Sequence, residues 1–114
     1  PLWLAPIQVA ILPISDKVME YANSVFDELK SIDARVIINK RSDKIGSKIR
    51  QAELEKINIM LIIGEKEASQ SVVSVRRRFE GNTGTIGIDE LKSVLVNEIK
   101  NRSLSHRKET ATTN

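Results

Sequence analysis

The sequence contains no cysteine and a single histidine, and both features limit the chemistry that it can carry out. Without cysteine there are no disulfides, no thiolate nucleophile and no cysteine-bound zinc, and a reducing compartment is compatible with the composition. The histidine, His106, lies in a polar C-terminal stretch, where we expect it to be exposed. Gly-x-Ser-x-Gly, Gly-x-Gly-x-x-Gly and Gly-Lys-Ser/Thr motifs are also missing. We therefore expect a non-catalytic chain that holds no metal or cofactor.

Long hydrophobic runs are absent too. No apolar segment approaches the roughly 20 residues that a membrane-spanning helix needs. Residues 1–13 lack the basic start and the cleavage site of a signal peptide. With 114 residues, 40% of them hydrophobic and 29% charged, the composition predicts one globular domain. We expect no membrane partner and a cytoplasmic location, and the start at Pro1 suggests a piece of a longer chain.

The hydrophobic pattern alternates between strand-like and helix-like segments. Apolar or alternating stretches predict strands at residues 7–14, 35–40, 58–63 and 72–78, and a short fifth strand at 85–86. Apolar residues at helical spacing predict helices at residues 16–29, 44–56 and 89–102. The order β-α-β-α-β-β-α predicts an α/β fold, with a mixed sheet of four or five strands flanked by three helices. We expect the domain at residues 1–104 and a polar, disordered tail at 105–114.

Basic residues are concentrated in two short stretches, although the net charge is only +3. The first stretch surrounds the start of the second predicted helix and the second is an arginine triplet; the members are Lys40, Arg41, Lys44, Lys48, Arg50, Arg76, Arg77 and Arg78. Ligands of such sheets bind beyond the carboxyl ends of the parallel strands, where we expect residues 41–43 and 64–67. Both stretches are predicted at element ends, so the pattern favours an anionic partner. The alternative is that these charges only solvate the surface.

Glu67 and Arg76 have the chemistry that recognises guanine in an RNA loop. A carboxylate can accept from the N1–H and N2–H₂ groups of guanine, and an arginine can donate to its O6 and N7. Strand alternation puts Arg76 on the opposite side from Val75 and Arg77, so we expect Arg77 to leave the sheet or to pair with an acid. The alternative interpretation is a plain hairpin whose charged end is solvated.

Other candidate contacts are a helix start and one aromatic ring. Phosphate contacts, which add affinity without base preference, are predicted for Lys44, Lys48 and Arg50. We also expect residues 41–43 to cap the second helix. Gly46 in its first turn costs about 1 kcal/mol relative to alanine, which indicates a close approach of either the sheet or a ligand. Phe79 is the candidate for stacking on a base.

Five segments follow a pattern known from one family. They are PLWLAPIQV at residues 1–9, PISD at 13–16, KIGSKIR at 44–50, GEKE at 64–67 and VSVRRR at 73–78. Together they resemble the C-terminal anticodon-binding domain of threonyl-tRNA synthetase, a domain type shared with the prolyl, histidyl and glycyl enzymes. The resemblance extends from Pro1 to about Leu104 without obvious gaps. It implies the anticodon-binding fold of class II synthetases and, as the partner, the anticodon stem-loop of threonine tRNA.

The resemblance also implies roles for individual residues. Glu67 and Arg76 match the family's base-recognising glutamate and arginine, and the bases would be the second and third of the anticodon, G and U. Ser42 stands where the family has a third base-recognising residue, an asparagine; serine has a shorter reach and cannot make a bidentate contact. Contacts to the RNA backbone are expected from Arg41, Lys44, Lys48, Arg50 and Arg78.

The family's full-length enzyme ligates threonine to its tRNA with ATP. Its catalytic domain, which holds zinc and forms the homodimer, would precede Pro1, so a catalytic domain of the same chain is a further implied partner. A second hypothesis keeps the same scaffold without RNA binding: a non-catalytic α/β domain for protein interaction or regulation. The departure from asparagine at Ser42 is its only support.

Overall fold

A computed structural model describes residues 7–32, 34–78 and 80–112. The chain forms five strands and four α-helices, in the order β1 (Ile7–Pro13), α1 (Met19–Leu29), β2 (Ala34–Ile38), α2 (Ile45–Leu54), β3 (Ile59–Ile63), α3 (Glu65–Gln70), β4 (Val72–Arg77), β5 (Gly81–Gly87) and α4 (Ile88–Thr112). A 3₁₀ turn at Asp16–Val18 leads into α1. Within these ranges no helix is both long and apolar enough to cross a bilayer.

The strands form one mixed sheet in the order β2-β1-β3-β4-β5. β1 pairs in parallel with β2 and with β3, because α1 and α2 return the chain to the same end of the sheet before each new strand. β4 and β5 run antiparallel to their neighbours. The α/β class and the mixed sheet of the prediction are confirmed.

The two faces of the sheet are covered unequally. The first face packs against α1 and α4 around a core that includes Val9, Leu61, Val75, Val25 and Leu95. The second face packs against α2 through a smaller cluster, formed by Ala10, Leu12, Ala52, Ile57 and Met60. No residue of β4 or β5 belongs to this second cluster, so α2 leaves the second face of these two strands uncovered.

Helix α3 is absent from the predicted order β-α-β-α-β-β-α, which is therefore wrong at this point. The short polar segment between β3 and β4 has no helical apolar periodicity, and its sequence resembles a hairpin end. Its helix is defined by its caps instead. The Gly64 amide donates to Glu67 Oε1 at 2.7 Å, and Ser71 ends the helix in the left-handed conformation, with φ 56°.

Two other elements are longer than predicted. β5 begins at Gly81, and a register shift between Val75 and Arg76, with Gly84 at φ 113°, accommodates its turn-forming residues, which are poor strand formers. α4 is helical to Thr112, where the polar composition led us to expect a disordered tail. The domain boundary at residue 104 stays a prediction.

Candidate nucleic-acid interface

The loop between β2 and α2, residues 39–44, lies at the carboxyl ends of β1 and β2. Inside this strand-end loop the Arg41 amide donates to Asn39 Oδ1 at 3.0 Å, and Arg41 Nε lies 3.2 Å from Asp43 Oδ2. Ser42 is exposed between them. The loop forms one wall of an open cavity of about 230 Å³, lined by Ile14, Ser15, Asp16, Arg41, Ser42, Asp43 and Lys48.

The start of α2 differs from the prediction that residues 41–43 cap it. Lys44 is the N-cap residue, and no side chain accepts from the first turn. Gly46 is exposed, and a Cβ at this position would meet no atom within 4 Å. Tight packing against the sheet is therefore not the reason for this glycine, and the close approach of a ligand stays a prediction.

Lys48 is not an exposed phosphate contact. Its side chain points into the domain, only 3% of it is exposed, and its ammonium donates to the carbonyl oxygens of Pro13 at 2.8 Å and Asn39 at 3.5 Å. Burial lowers the pKa of Lys48, and the carboxylates of Asp43 and Asp16 oppose that shift. The predicted backbone contact by Lys48 is corrected accordingly: an ammonium that donates to two carbonyls in the interior is not available to RNA.

The sequence carries a signal for this burial that charge counting overlooks. Lys48 follows Ile45 by three residues and precedes Ala52 by four, so it lies on the apolar face of α2. The other predicted cations at this edge are exposed: Arg41 in the strand-end loop, Lys44 at the N-cap of α2, and Arg50 on α2.

The second region of interest is the β3–α3 corner, residues 63–67. Glu67 is half-buried, because one carboxylate oxygen accepts from the Gly64 amide. The Ile14 amide donates to the Ile63 carbonyl at 2.8 Å, which joins the corner to the end of β1. A carboxylate at this position keeps a second oxygen for a ligand donor.

Tyr21 of α1 is a neighbour of the corner that the sequence analysis does not identify. Its hydroxyl donates to the Val72 carbonyl at 2.8 Å. Burial raises the pKa of Tyr21, and the negative charge of Glu67 raises it further. The bond holds the junction of α3 and β4 against α1. Its only sequence signal is a tyrosine at the edge of an apolar helix face.

Arg76 lies on the uncovered second face of the sheet. It pairs with Met60 across β3 and with Asn82 across β5, and cross-strand partners point to the same side. Its Nε is buried without a hydrogen-bond partner, although the residue is partly exposed. A buried guanidinium nitrogen without a partner costs free energy.

Arg77 confirms the alternation argument. It points to the first face and forms an ion pair with Glu98 of α4, with Arg77 Nη2 at 2.5 Å from Glu98 Oε1. Arg78 is half-buried, and its amide donates to the Asn58 carbonyl at 3.0 Å. Its predicted contact with RNA backbone stays a prediction.

The structure does not bring Glu67 and Arg76 into contact. Arg76 lies opposite Met60, three positions before the end of β3, which is about 10 Å along the strand from the corner. The two groups therefore lie at separate places on the surface. Phe79, the predicted stacking residue, lies outside the described residues. Across the described ranges no group of three or more metal-binding side chains occurs.

Fold and site together define a small α/β domain that has cations at one strand-end edge and polar groups on an uncovered sheet face. The family model described as the anticodon binding domain matches residues 8–98. The chain belongs to this anticodon-binding domain family.

Two relatives are similar to this chain over most of its length. The chain is 50% identical over 103 residues to a threonine–tRNA ligase of Prosthecochloris aestuarii and 52% identical over 101 residues to that of Phocaeicola vulgatus, which is 90% and 89% of this chain. It spans only 16% of the length of either relative.

Among solved structures, the chain resembles the RNA binding domain of threonyl-tRNA synthetase from Cryptosporidium parvum Iowa II, with a TM-score of 0.77 and 35% identity, over 85% of this chain and 24% of that one. It also resembles prolyl-tRNA synthetase from Cryptosporidium parvum, solved with halofuginone and AMPPNP, with a TM-score of 0.73 and 29% identity, over 92% of this chain and 23% of that one.

Proposed function

We propose that this chain is the anticodon-binding domain of a threonine–tRNA ligase and binds the anticodon stem-loop of threonine tRNA. The observation that carries the proposal is the identity of about half of its residues to threonine–tRNA ligases over nine-tenths of its length. The surface agrees with that partner: Arg41, Lys44 and Arg50 are exposed around the strand-end loop. Cations in this arrangement attract a phosphate backbone and make binding depend on salt.

Base recognition is proposed for three residues: Arg76 on β4, Glu67 at the corner and Ser42 in the strand-end loop. Arg76 donates to O6 and N7 of the middle guanine, since the residue is partly exposed on the face of β4 that α2 leaves uncovered. Glu67 accepts from a guanine N–H group with the oxygen that does not cap α3. Ser42 donates to, or accepts from, the third base, U, through its single hydroxyl.

The whole protein is part of the same proposal. Because the chain spans a minor part of its relatives, we propose a catalytic domain in the same protein that ligates threonine to its tRNA with ATP. Zinc in that domain, a homodimer and a cytoplasmic location are proposed with it. No residue described in this chain is assigned to catalysis.

A titration of the chain with anticodon stem-loops tests the proposal. The stem-loop of threonine tRNA should bind with an affinity that falls steeply as salt increases. Replacement of the middle G by A should weaken binding by about 1–3 kcal/mol, since adenine lacks the O6 acceptor and the N1–H and N2–H₂ donors of guanine. Equal binding of the two loops would contradict base-specific recognition. Absence of binding to any stem-loop would favour the alternative of a protein-interaction domain.

A further inference from the structure

Lys48 joins the carboxyl ends of two parallel strands. Its ammonium donates to the carbonyl of Pro13, the last residue of β1, and to the carbonyl of Asn39, the residue after β2. The Lys48 side chain is 3% exposed, and Lys48 is the one charged residue that is buried among the described side chains. Burial of a cation costs free energy unless hydrogen bonds compensate it, so these contacts define where the surrounding backbone can lie.

The Lys48 side chain holds the start of the strand-end loop, and the first backbone hydrogen bond of α2 closes its end. At its start, the Lys48 ammonium holds the Asn39 carbonyl. At its end, the Lys48 amide donates to the Lys44 carbonyl at 3.1 Å. Ser42 lies between these two anchors, and the rest of the loop has no regular structure. The negative charge of Asp43, which acts on the Lys48 ammonium, adds an attraction inside this closed loop.

We propose that Lys48 is a positioning residue for recognition of the third anticodon base, because it fixes the loop that carries Ser42. The inference rests on the proposed function. A serine has a short side chain and one hydroxyl, so a small displacement of its backbone removes the contact. Lys48 itself touches no base and no phosphate.

The corner that carries Glu67 is linked to Lys48 only indirectly, through the Pro13–Ile14 peptide: its carbonyl accepts from the Lys48 ammonium, and its amide donates to the Ile63 carbonyl. Its carboxylate is held by the Gly64 amide, and Arg76 is held by strand pairing with Met60 and Asn82. Because the Glu67 carboxylate and Arg76 keep these contacts of their own, loss of the Lys48 ammonium should affect the third base more than the middle base. A phosphate contact would weaken binding to every loop equally and reduce its salt dependence, and a purely structural role would lower the folded fraction for every loop.

The test compares two lysines of one segment. Lys48→Met removes the buried ammonium and keeps an unbranched side chain, and Lys44→Met removes an exposed charge at the start of the same helix. Both variants and the unchanged chain are titrated with three stem-loops: the threonine loop, one with the third U replaced by C, and one with the middle G replaced by A. Lys48→Gln, which keeps a neutral donor of shorter reach, is a second variant, and thermal unfolding monitors folding.

For Lys48→Met and Lys48→Gln we expect the preference for the third U to fall by about tenfold, the preference for the middle G to fall less, and the salt dependence to stay unchanged. Equal falls in the two preferences would overturn the inference. For Lys44→Met we expect weaker binding to all three loops and a shallower salt dependence. A retained third-base preference in a folded Lys48 variant overturns the inference alone. Loss of folding in both Lys48 variants also overturns it, because Lys48 would then support the whole domain. If the unchanged chain does not distinguish the middle base, the proposed function fails first and the inference fails with it.

Discussion

The strand-end loop and the β3–α3 corner present the candidate base-recognition residues in different ways. The loop has no regular structure and is held by side chains, the Asn39 amide group and the Lys48 ammonium. The corner is held by backbone amides: Gly64 donates to Glu67, and Ile14 donates to Ile63. Arg76 is likewise fixed by strand pairing. A single side-chain substitution can therefore release the loop, whereas the corner is held mainly by its own backbone and its capping carboxylate.

The largest effect of a single substitution is expected at Arg76. Arg76→Ala removes the donor to the middle guanine and should weaken stem-loop binding by about 1–3 kcal/mol. Folding stability should change little, since its Nε has no partner in the domain. Isothermal titration with the threonine stem-loop measures the binding loss, and thermal unfolding measures stability.

Arg77→Ala is the matched control, because it is the next residue on the opposite face. Its partner is Glu98, and a partly exposed ion pair contributes about 0–1 kcal/mol. This variant should lose some stability and keep its affinity for RNA. Equal losses of affinity in the two variants would contradict the assignment of base recognition to one face of β4.

A smaller effect is expected when the corner itself is changed. A Cβ on Gly64 would lie 2.9 Å from Glu67 Oε1 and 2.9 Å from Ile14 Cδ1. Both are flexible side-chain ends, so Gly64→Ala should fold and displace the carboxylate. We expect a loss of about 1 kcal/mol in the free energy of unfolding from the broken cap, together with a weaker preference for the middle G in the same titration.

Gly46→Ala controls for the added methyl group, since a Cβ there meets no atom within 4 Å. Its free energy of unfolding should be unchanged or raised by up to about 1 kcal/mol, because alanine favours a helix over glycine.

The third-base preference of Gly64→Ala should persist, as the strand-end loop is untouched. An unchanged preference for the middle G in Gly64→Ala would remove Glu67 from base recognition.

The contrast between the two regions also explains which features the sequence predicts. The buried strand β3 follows from its continuous apolar run, and the ion pair of Arg77 follows from alternation along β4. These are properties of one segment. The uncovered surroundings of Arg76 depend on which helix covers which part of the sheet, and the pattern of β4 alone does not contain that information.

Two predictions are wrong: the exposure of Lys48 at the surface and the element order that omits α3. Lys48 belongs to a cluster of basic residues, and charge counting alone assigns it to the surface; its position on the apolar face of α2 indicates burial. α3 has too few apolar residues for periodicity, so its signal is the spacing between Gly64 and Glu67 that forms a cap. In both cases a local spacing, and not the composition, carries the information.

The most direct test of the account is the mapping of stem-loop binding onto the backbone amides by NMR. With a ¹⁵N-labelled chain, the threonine stem-loop should shift the amide signals of residues 41–47, 64–67 and 74–76. The amides of Gln8, Arg35 and Glu55, which line a cavity of about 260 Å³ at the amino ends of β1 and β2, should stay unchanged. Shifts concentrated at that cavity, with none at the strand-end loop or the corner, would contradict the account.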